Sequence, residues 1–238
     1  MLNEVSSFAA LADDFIAPKS KTVLAEASKQ LEGYRNSTTA AAFDWEISDQ
    51  NPLTTIKSKS YEPGDGGQRF LVGEISAKWR IRKEQPTKKS RVSSHFNLIG
   101  LASTRVRLRC LNPNDEAAEE IAMWRMEIAD SKSPGCYFHV QILGQTDEFP
   151  FPSSLPIPRL PNILMTPASV AEFVLGELFQ DSWAPHVARQ TPHLNRWAPI
   201  QKARLSRLLN WKLEQLSKTN GSPWSSLKVA KPNADLFA

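Results

Sequence analysis

Four adjacent segments of this 238-residue chain alternate apolar with polar residues, and their positive charges fall on the polar side. Because successive side chains of a strand point to opposite faces, each segment predicts a strand with one apolar and one polar face. We therefore expect six side chains to be buried, Trp79, Val106, Leu108, Trp124, Phe138 and Val140, and three to be exposed, Arg80, Arg107 and Arg125. The segments are 69–84, 96–111, 120–130 and 136–144. Their apolar side carries Leu71, Ile75, Ala77, Trp79, Ile81, Phe96, Leu98, Val106, Leu108, Cys110, Trp124, Met126, Ile128, Phe138, Val140 and Ile142. Their polar side, which we call the sheet front, carries Lys78, Arg80, Arg82, Arg105, Arg107, Arg109, Arg125, Glu127, Tyr137, His139 and Gln141.

A further strand and the short connections define the predicted sheet. Residues 43–48 alternate apolar side chains with acidic or small ones, which indicates a half-buried strand with an acidic outer side. Few residues separate the last four strands, and parallel neighbours would need long crossovers, so each strand is expected to pair with its predecessor. The predicted fold class is therefore α+β, with an antiparallel meander of about five strands, N-terminal helices and a C-terminal helical region.

Helical periodicity appears before and after these strands. The N-terminal apolar positions are Val5, Phe8, Leu11, Phe15, Ile16, Val23, Leu24, Ala27, Leu31 and Tyr34. Thr166 and Pro167 predict a helix start, as N-cap and first helical residue. The buried side of that helix is expected to be Val170, Phe173, Val174 and Leu178. A linker, 183–192, is then followed by a helix from about Asn195 to Lys218. Its stripe is interpreted as core: Leu205, Leu208, Leu209, Leu213 and Leu216.

Proline marks the boundary between the two parts of the chain. Five prolines between 150 and 161 predict an extended path that carries the chain away from the sheet. This divides the chain into 1–148, with the N-terminal helices and the sheet, and 149–238, with the proline-rich crossing and C-terminal helices packed on the same domain. The segment 155–161, which includes Arg159, is either a docking edge for a partner or a stiff linker.

Composition restricts the classes of partner and compartment. Lys and Arg number 29 against 25 Asp and Glu, a net charge of +4, so attraction for an anionic partner must come from clustering. The two cysteines, Cys110 and Cys136, form no disulfide framework and favour a reduced state. The sequence shows neither a basic leader nor an apolar run of membrane-spanning length, so the expected location is the cytoplasm, without a membrane partner.

Two functions remain open for the sheet front. Arginines from neighbouring strands can neutralise phosphates while Tyr137 and His139 stack on bases, or the same front can meet a protein partner. The alternative is an ordinary salt-bridged surface, in which the arginines pair with Asp44, Glu46, Glu74, Glu84 and Glu127. The predicted partner-binding set is Lys78, Arg80, Arg82, Arg105, Arg107, Arg109, Arg125, Tyr137, His139, Gln141 and Arg159.

Catalysis is the competing hypothesis. His139 and Gln141 lie mid-strand beside Arg125 and Glu127, where a solvated or hydrogen-bonded histidine is the expected structure and general acid–base chemistry the alternative. On the solvated interpretation, His139→Ala should leave stability nearly intact. The order Asp115, Glu127, Asp130, Lys132 resembles that of metal-dependent nucleases. The four histidines lack zinc-ligand spacing, and 64–67 lacks the end of a phosphate loop, so no resident metal or cofactor is predicted.

One short resemblance bears on the biological setting. The run Gly-Cys-Tyr-Phe-His-Val-Gln at 135–141, followed by Pro-Arg-Leu-Pro at 158–161, resembles uncharacterised bacterial sequences, some of them defence-associated. This resemblance assigns no role to any residue. The function predicted from the sequence is a non-enzymatic binding or adaptor protein, in the setting of bacterial defence, that meets a protein or nucleic acid through the sheet front or the proline-rich edge. The alternative is a metal-dependent nuclease.

Overall fold

A computed structural model of the protein describes residues 1–39, 41–58, 69–83, 96–111, 119–128, 137–143, 160–163, 166–223 and 226. It confirms an α+β fold with an antiparallel sheet. The helices within these ranges are α1 (Leu2–Leu11), α2 (Pro18–Asn36), α3 (Pro167–Leu178), α4 (Gln180–Ala188) and α5 (Pro192–Ser217), with a 3-10 turn at Asp13–Phe15. The strands are β1 (Phe43–Ile47), β2 (Leu53–Thr54), β3 (Phe70–Lys83), β4 (Phe96–Leu111), β5 (Glu119–Ile128), β6 (Phe138–Leu143) and β7 (Leu160–Pro161).

The sheet has the order β1-β3-β4-β5-β6-β7, and β2 also pairs with β3. The meander from β3 to β6 is confirmed, since each of these strands pairs antiparallel with its predecessor. Two strands of two residues each, β2 and β7, extend the predicted set of five. Strands this short carry no alternating pattern, so periodicity could not reveal them.

The predicted phase of the strands is confirmed on the side of the sheet that the helices cover. Trp79 and Val106 are buried, and so is Phe138 on β6. Leu108, Trp124 and Val140 were also predicted to be buried, which is wrong, because each is only half-buried. The helices pack mainly on the β1, β2 and β3 end of the sheet, so the back of β5 and β6 receives less cover.

A close approach fixes α3 against the sheet. A Cβ atom on Gly73 would lie 2.6 Å from Val174 Cγ1 and 3.2 Å from Leu178 Cδ1, so only glycine lets this helix lie on β3. The predicted capping of α3 is present, because Thr166 accepts a hydrogen bond from the Ser169 amide. Phe173 does not lie in the core as predicted, since it is 44% exposed.

A buried polar network joins α1 to α5. Glu4 on α1 forms a salt bridge with Arg204 on α5, with Arg204 Nη2 2.9 Å from Glu4 Oε2. Gln201 and Thr166 also donate to Glu4 Oε1, from 2.9 and 2.5 Å. Burial alone would raise the pKa of Glu4, but the charges of Arg204 and the N-terminus and the hydrogen bonds from Arg204 and Thr166 oppose it, and the pKa is lowered.

The C-terminal helices differ from the prediction in two respects. The predicted linker 183–192 is largely helix α4, and Trp183 lies in the core with its ring 5.0 Å from that of Phe15. The interpretation of the leucine stripe as core is also wrong. Leu208 alone of the five leucines is buried, because Trp197, Arg204 and Trp211 occupy the core-facing side of α5 with it. The other leucines lie about a third of a turn away on the helix.

The described end of the proline-rich crossing, 160–161, lies in the sheet, whereas residues 149–159 are outside the described ranges. The chain was predicted to leave the sheet here, but Leu160–Pro161 pairs with β6, and the Asn162 amide donates to the Phe138 carbonyl at 3.1 Å. Proline has no N–H to donate to a neighbouring strand. It fits here because β7 is an edge strand, and backbone groups on the outer edge form no hydrogen bonds to another strand. None of the helices that the structure describes combines the length and apolar character needed to cross a bilayer.

Candidate functional site

The sheet front brings most of the predicted site residues onto one surface. Lys78 and Arg82 of β3 lie opposite Ser103 and Asn97 of β4, with Arg80 between them. Arg105, Arg107 and Arg109 follow further along β4, and Arg125 of β5 lies opposite Gln141 of β6. Tyr137 is half-buried and packs against the apolar core rather than standing as a stacking platform. Four predicted residues lie outside the described ranges, namely Arg159, Asp115, Asp130 and Lys132.

The arginines of β4 are surrounded by carboxylates. Arg107 lies 3.8 Å from Asp49, 3.9 Å from Glu74 and 3.7 Å from Glu120. Glu74 also lies 3.3 Å from Arg109, so that one carboxylate serves two arginines. We call this cross-strand set of ion pairs the arginine grid.

Sequence reasoning missed two members of the grid, Glu120 and Asp49. Glu120 shares the strand phase of Trp124, and a register shift between Leu108 and Arg109 brings it opposite Arg109. Asp49 comes from outside the strands. It lies in the turn after β1, where Ser76 Oγ donates a hydrogen bond to one of its carboxylate oxygens and Arg105 Nη1 lies 2.6 Å from the other. The polar stretch 48–51 signals a turn, but no sequence pattern indicates that this turn folds over the middle of β3 and β4.

The described part of the front is close to charge balance. Arg107 and Arg125 were predicted to be exposed, which is wrong, because their side chains retain only 19% and 31% exposure. Arg80 is exposed as predicted, and it lies 3.7 Å from Asp44. Among the residues that the structure describes, seven cations face six carboxylates: Lys78, Arg80, Arg82, Arg105, Arg107, Arg109 and Arg125 against Asp44, Glu46, Asp49, Glu74, Glu120 and Glu127. Glu84 lies outside the described ranges.

His139 is enclosed rather than solvated. Its side chain is 2% exposed, and its Nε2 lies 3.2 Å from Oε2 of Glu127 on the adjacent strand. The hydrogen bond to His139 is the main reason that the pKa of Glu127 is lowered, with the charge of Arg125 acting in the same direction against the effect of burial. The short strand β7 closes this edge, since Pro161 lies opposite His139 in the register.

A polar concavity opens beside the grid. It has a volume of about 490 Å³, and its lining includes Asp49, Ser76, Arg105, Ser103, Arg125 and Glu127. Arg105 uses one hydrogen bond to hold Asp49, and Arg125 uses one to hold Gln141 at 2.8 Å. Each of these hydrogen bonds orients its arginine side chain. A guanidinium carries five N–H donors, so most donors of Arg105 and Arg125 lack a hydrogen-bond partner among the described residues.

Metal binding has no built site in the part of the chain that the structure describes. No group of three or more His, Cys, Asp or Glu side chains there could hold an ion. Of the nuclease-like order, only Glu127 is described, and it is engaged by His139 and Arg125. No protein-family model, no curated protein and no solved structure matches the chain.

Proposed function

We propose that this is a non-enzymatic binding protein of the adaptor type, which recognises a protein partner at the concavity on the sheet front. The observation that carries the proposal is the pair Arg105 and Arg125, each oriented by one hydrogen bond at the wall of this concavity. A preoriented guanidinium fork suits carboxylates and carbonyl oxygens, and fixing it in advance lowers the entropy cost of binding.

Binding is favoured over catalysis by the position of His139. A general acid or base must come within hydrogen-bond reach of the proton it transfers. His139 is 98% buried and faces Glu127, so a substrate in the concavity would not meet its ring without movement of β6 or β7. The same pair gives a simple structural role, the joining of β5 to β6 beneath the front.

A protein partner is favoured over nucleic acid by the charge balance of the front. Affinity for nucleic acid comes chiefly from cations that neutralise phosphates and release counterions. Most arginines here are already neutralised by Asp49, Glu74, Glu120 and Glu127 at 2.6 to 3.9 Å. A protein surface with a few carboxylates and carbonyl oxygens requires only local complementarity, which the concavity offers.

The test is affinity capture with proteins and nucleic acids both retained. The wild type is compared with Arg105→Ala combined with Arg125→Ala, and with Arg80→Ala combined with Arg82→Ala as the matched control. Both variants remove two positive charges from the front, but only the first changes the concavity. A protein that is captured by the wild type and the control and lost with the first variant supports the proposal. Equal capture by all three would contradict it.

A further inference from the structure

The outer side of α5 carries an apolar surface that the core does not use. Leu205, Leu209, Leu213 and Leu216, which we call the leucine ridge, are between 37% and 64% exposed. They follow one another at intervals of three or four residues, so they form a single stripe along the helix. Phe173 on α3 and Ile163 after β7, at 44% and 48%, continue the apolar surface beyond Leu205.

The leucine ridge borders two depressions. Leu205 lines both: one of about 550 Å³, with Phe173 and Ile163, and one of about 420 Å³, with Leu194 and Leu209. A surface with depressions on both sides of one leucine can accept protruding side chains of another helix. From Leu205 to Leu216 the ridge spans about 16 Å, the length of about three helical turns.

The charges beside the ridge indicate what kind of helix fits. Lys202 lies on the exposed side of α5 and lines the smaller depression with Leu205 and Leu209, and Lys212 lies beside the ridge one turn before Leu216. The one acidic residue on α5 is Glu214, and its carboxylate already bonds to Lys218 at 2.5 Å.

Glu172 on α3 lines both depressions, but it is half-buried and bonds to the Trp197 side chain. Lys212 donates one hydrogen bond to the Asn162 carbonyl at 3.4 Å and keeps its charge. The charges at the rim of the ridge are therefore mainly those of Lys202 and Lys212.

We propose that the leucine ridge is the docking site for an amphipathic helix of a partner protein, one whose apolar stripe is flanked by Asp or Glu. Helices commonly bind in this way, with apolar residues at positions i, i+3, i+4 and i+7 entering a groove. The proposal goes beyond the function proposed for the sheet front, because the ridge lies on the helical layer and shares no residue with the arginine grid.

Charge and shape favour this occupant over two others. A second copy of the chain would bring together two helices that both carry net positive charge, which disfavours self-association. An anionic membrane would match the charge, but a helix that lies in a membrane presents a continuous apolar face to the lipid. Here the ridge is interrupted by depressions at Leu205, and the opposite side of α5 is fixed in the core through Trp197 and Trp211.

The experiment uses fluorescence polarisation of two labelled synthetic helical peptides of about 18 residues, each long enough to cover the ridge. Both carry the same leucine stripe, and one has Glu and the other Lys on its polar side. The acidic peptide is expected to bind the wild-type protein at least about tenfold more tightly than the basic one, because unlike charges then meet at Lys202 and Lys212. Equal binding of the two peptides, or no binding of either, overturns the proposal.

Variants locate the binding. Leu209→Glu combined with Leu213→Glu should weaken the acidic peptide by about tenfold or more, because both anchors lose their apolar contact. Lys202→Glu combined with Lys212→Glu should reverse the preference between the peptides, whereas Lys29→Glu on the exposed side of α2 should change neither. Leu209, Leu213 and Lys202 are exposed, and Lys212 is half-buried with one hydrogen bond to the Asn162 carbonyl at 3.4 Å. The circular dichroism melting curve of each variant is therefore expected to stay close to that of the wild type. Unchanged peptide binding by the ridge variants overturns the proposal.

Two further measurements exclude the other occupants. Sedimentation velocity should show no dimer that is lost on Leu209→Glu with Leu213→Glu, and vesicles rich in phosphatidylserine should not bind the wild type through the ridge. A dimer that is lost in this variant would assign the ridge to a second copy of the chain, and vesicle binding through the ridge would assign it to lipid. Each of these results overturns the proposal. Arg105→Ala with Arg125→Ala should bind the acidic peptide as the wild type does, so failure of the front proposal would leave this one standing.

Discussion

Arginine and carboxylate meet in two regions of this protein with different consequences. In the helical layer, Glu4 and Arg204 form a closed network that is almost entirely removed from solvent. On the sheet front, the arginine grid is half-exposed and borders an open concavity. The buried network satisfies its carboxylate from several sides and fixes α1 against α5. The grid instead balances charge on a half-exposed surface, so burial separates the structural role of the network from the binding role that we propose for the front.

The largest expected effect lies in the buried network. Glu4→Gln leaves the Arg204 guanidinium buried without its counter-charge, and breaking such a pair is expected to lower the free energy of unfolding by about 3–5 kcal/mol. Urea denaturation at neutral pH measures the change. Replacing both partners, with Glu4→Leu and Arg204→Met, should recover much of the loss, because no buried charge is then left alone. A loss below about 1 kcal/mol for Glu4→Gln would show that the network is open to water.

The pH dependence of stability sharpens the same comparison. The folded-state pKa of Glu4 is lowered, so its stabilisation is present above the carboxyl's ordinary pKa and is lost as pH falls through the lowered value. The difference in unfolding free energy between wild type and Glu4→Gln should therefore be constant near neutrality and shrink in acid. Denaturation series from neutral to acidic pH measure it. A difference that grows in acid would contradict the sign of the shift.

A smaller effect on stability is expected at the His139–Glu127 pair, which joins β6 to β5. The sequence alone favoured a harmless His139→Ala, but His139 is buried against Glu127. Removing the ring leaves a cavity and a half-buried carboxylate without its hydrogen bond, which should cost about 1–3 kcal/mol. His193→Ala, at an exposed position on α5, is the matched control and should be nearly neutral. Thermal unfolding of both variants tests this, and equal melting temperatures would refute the enclosed His139.

The smallest effects belong to the front itself. Arg107 is mostly buried among three carboxylates, whereas Arg80 forms one exposed pair with Asp44. We expect Arg107→Ala to cost about 1 kcal/mol and Arg80→Ala close to zero, since exposed pairs contribute little. Repeating both measurements at high salt should reduce the difference only in part, because buried pairs are less screened. Equal losses of unfolding free energy for the two variants would contradict the expectation that the buried ion pairs of Arg107 stabilise the fold more than the exposed pair of Arg80.

The sequence predicted the parts of the fold that have a local cause. Alternation along β3 and β4 placed Trp79 and Val106 in the core and the arginines opposite, because the period of a strand is set by its own backbone. The N-cap of α3 was found in the same way, from Thr166 and Pro167. The two short strands β2 and β7 could not be found, since pairing with a neighbour rather than any local pattern defines them.

The rest of the fold depends on contacts between distant residues. Leucine hydrophobicity favoured the ridge as the core side of α5, but Arg204 takes the core position because it pairs there with Glu4. Glu4 lies 200 residues earlier in the chain, so no local pattern around Arg204 indicates this contact. The candidate site divides similarly. The arginines and His139 were visible in the strand pattern, whereas Asp49 became part of the site only when the turn after β1 folded over the sheet.

The central claim, that the front is charge-compensated and serves a protein partner, is tested most directly by titration with nucleic acid. Labelled single-stranded RNA of about 20 nucleotides and duplex DNA of similar length are titrated with the wild type at several salt concentrations. We expect no saturable binding of either nucleic acid that depends on the front, even at low salt. Saturable binding that weakens steeply with salt, and loses that dependence when Arg105, Arg107 and Arg109 are replaced by alanine, would contradict the account and identify the front as a nucleic-acid surface.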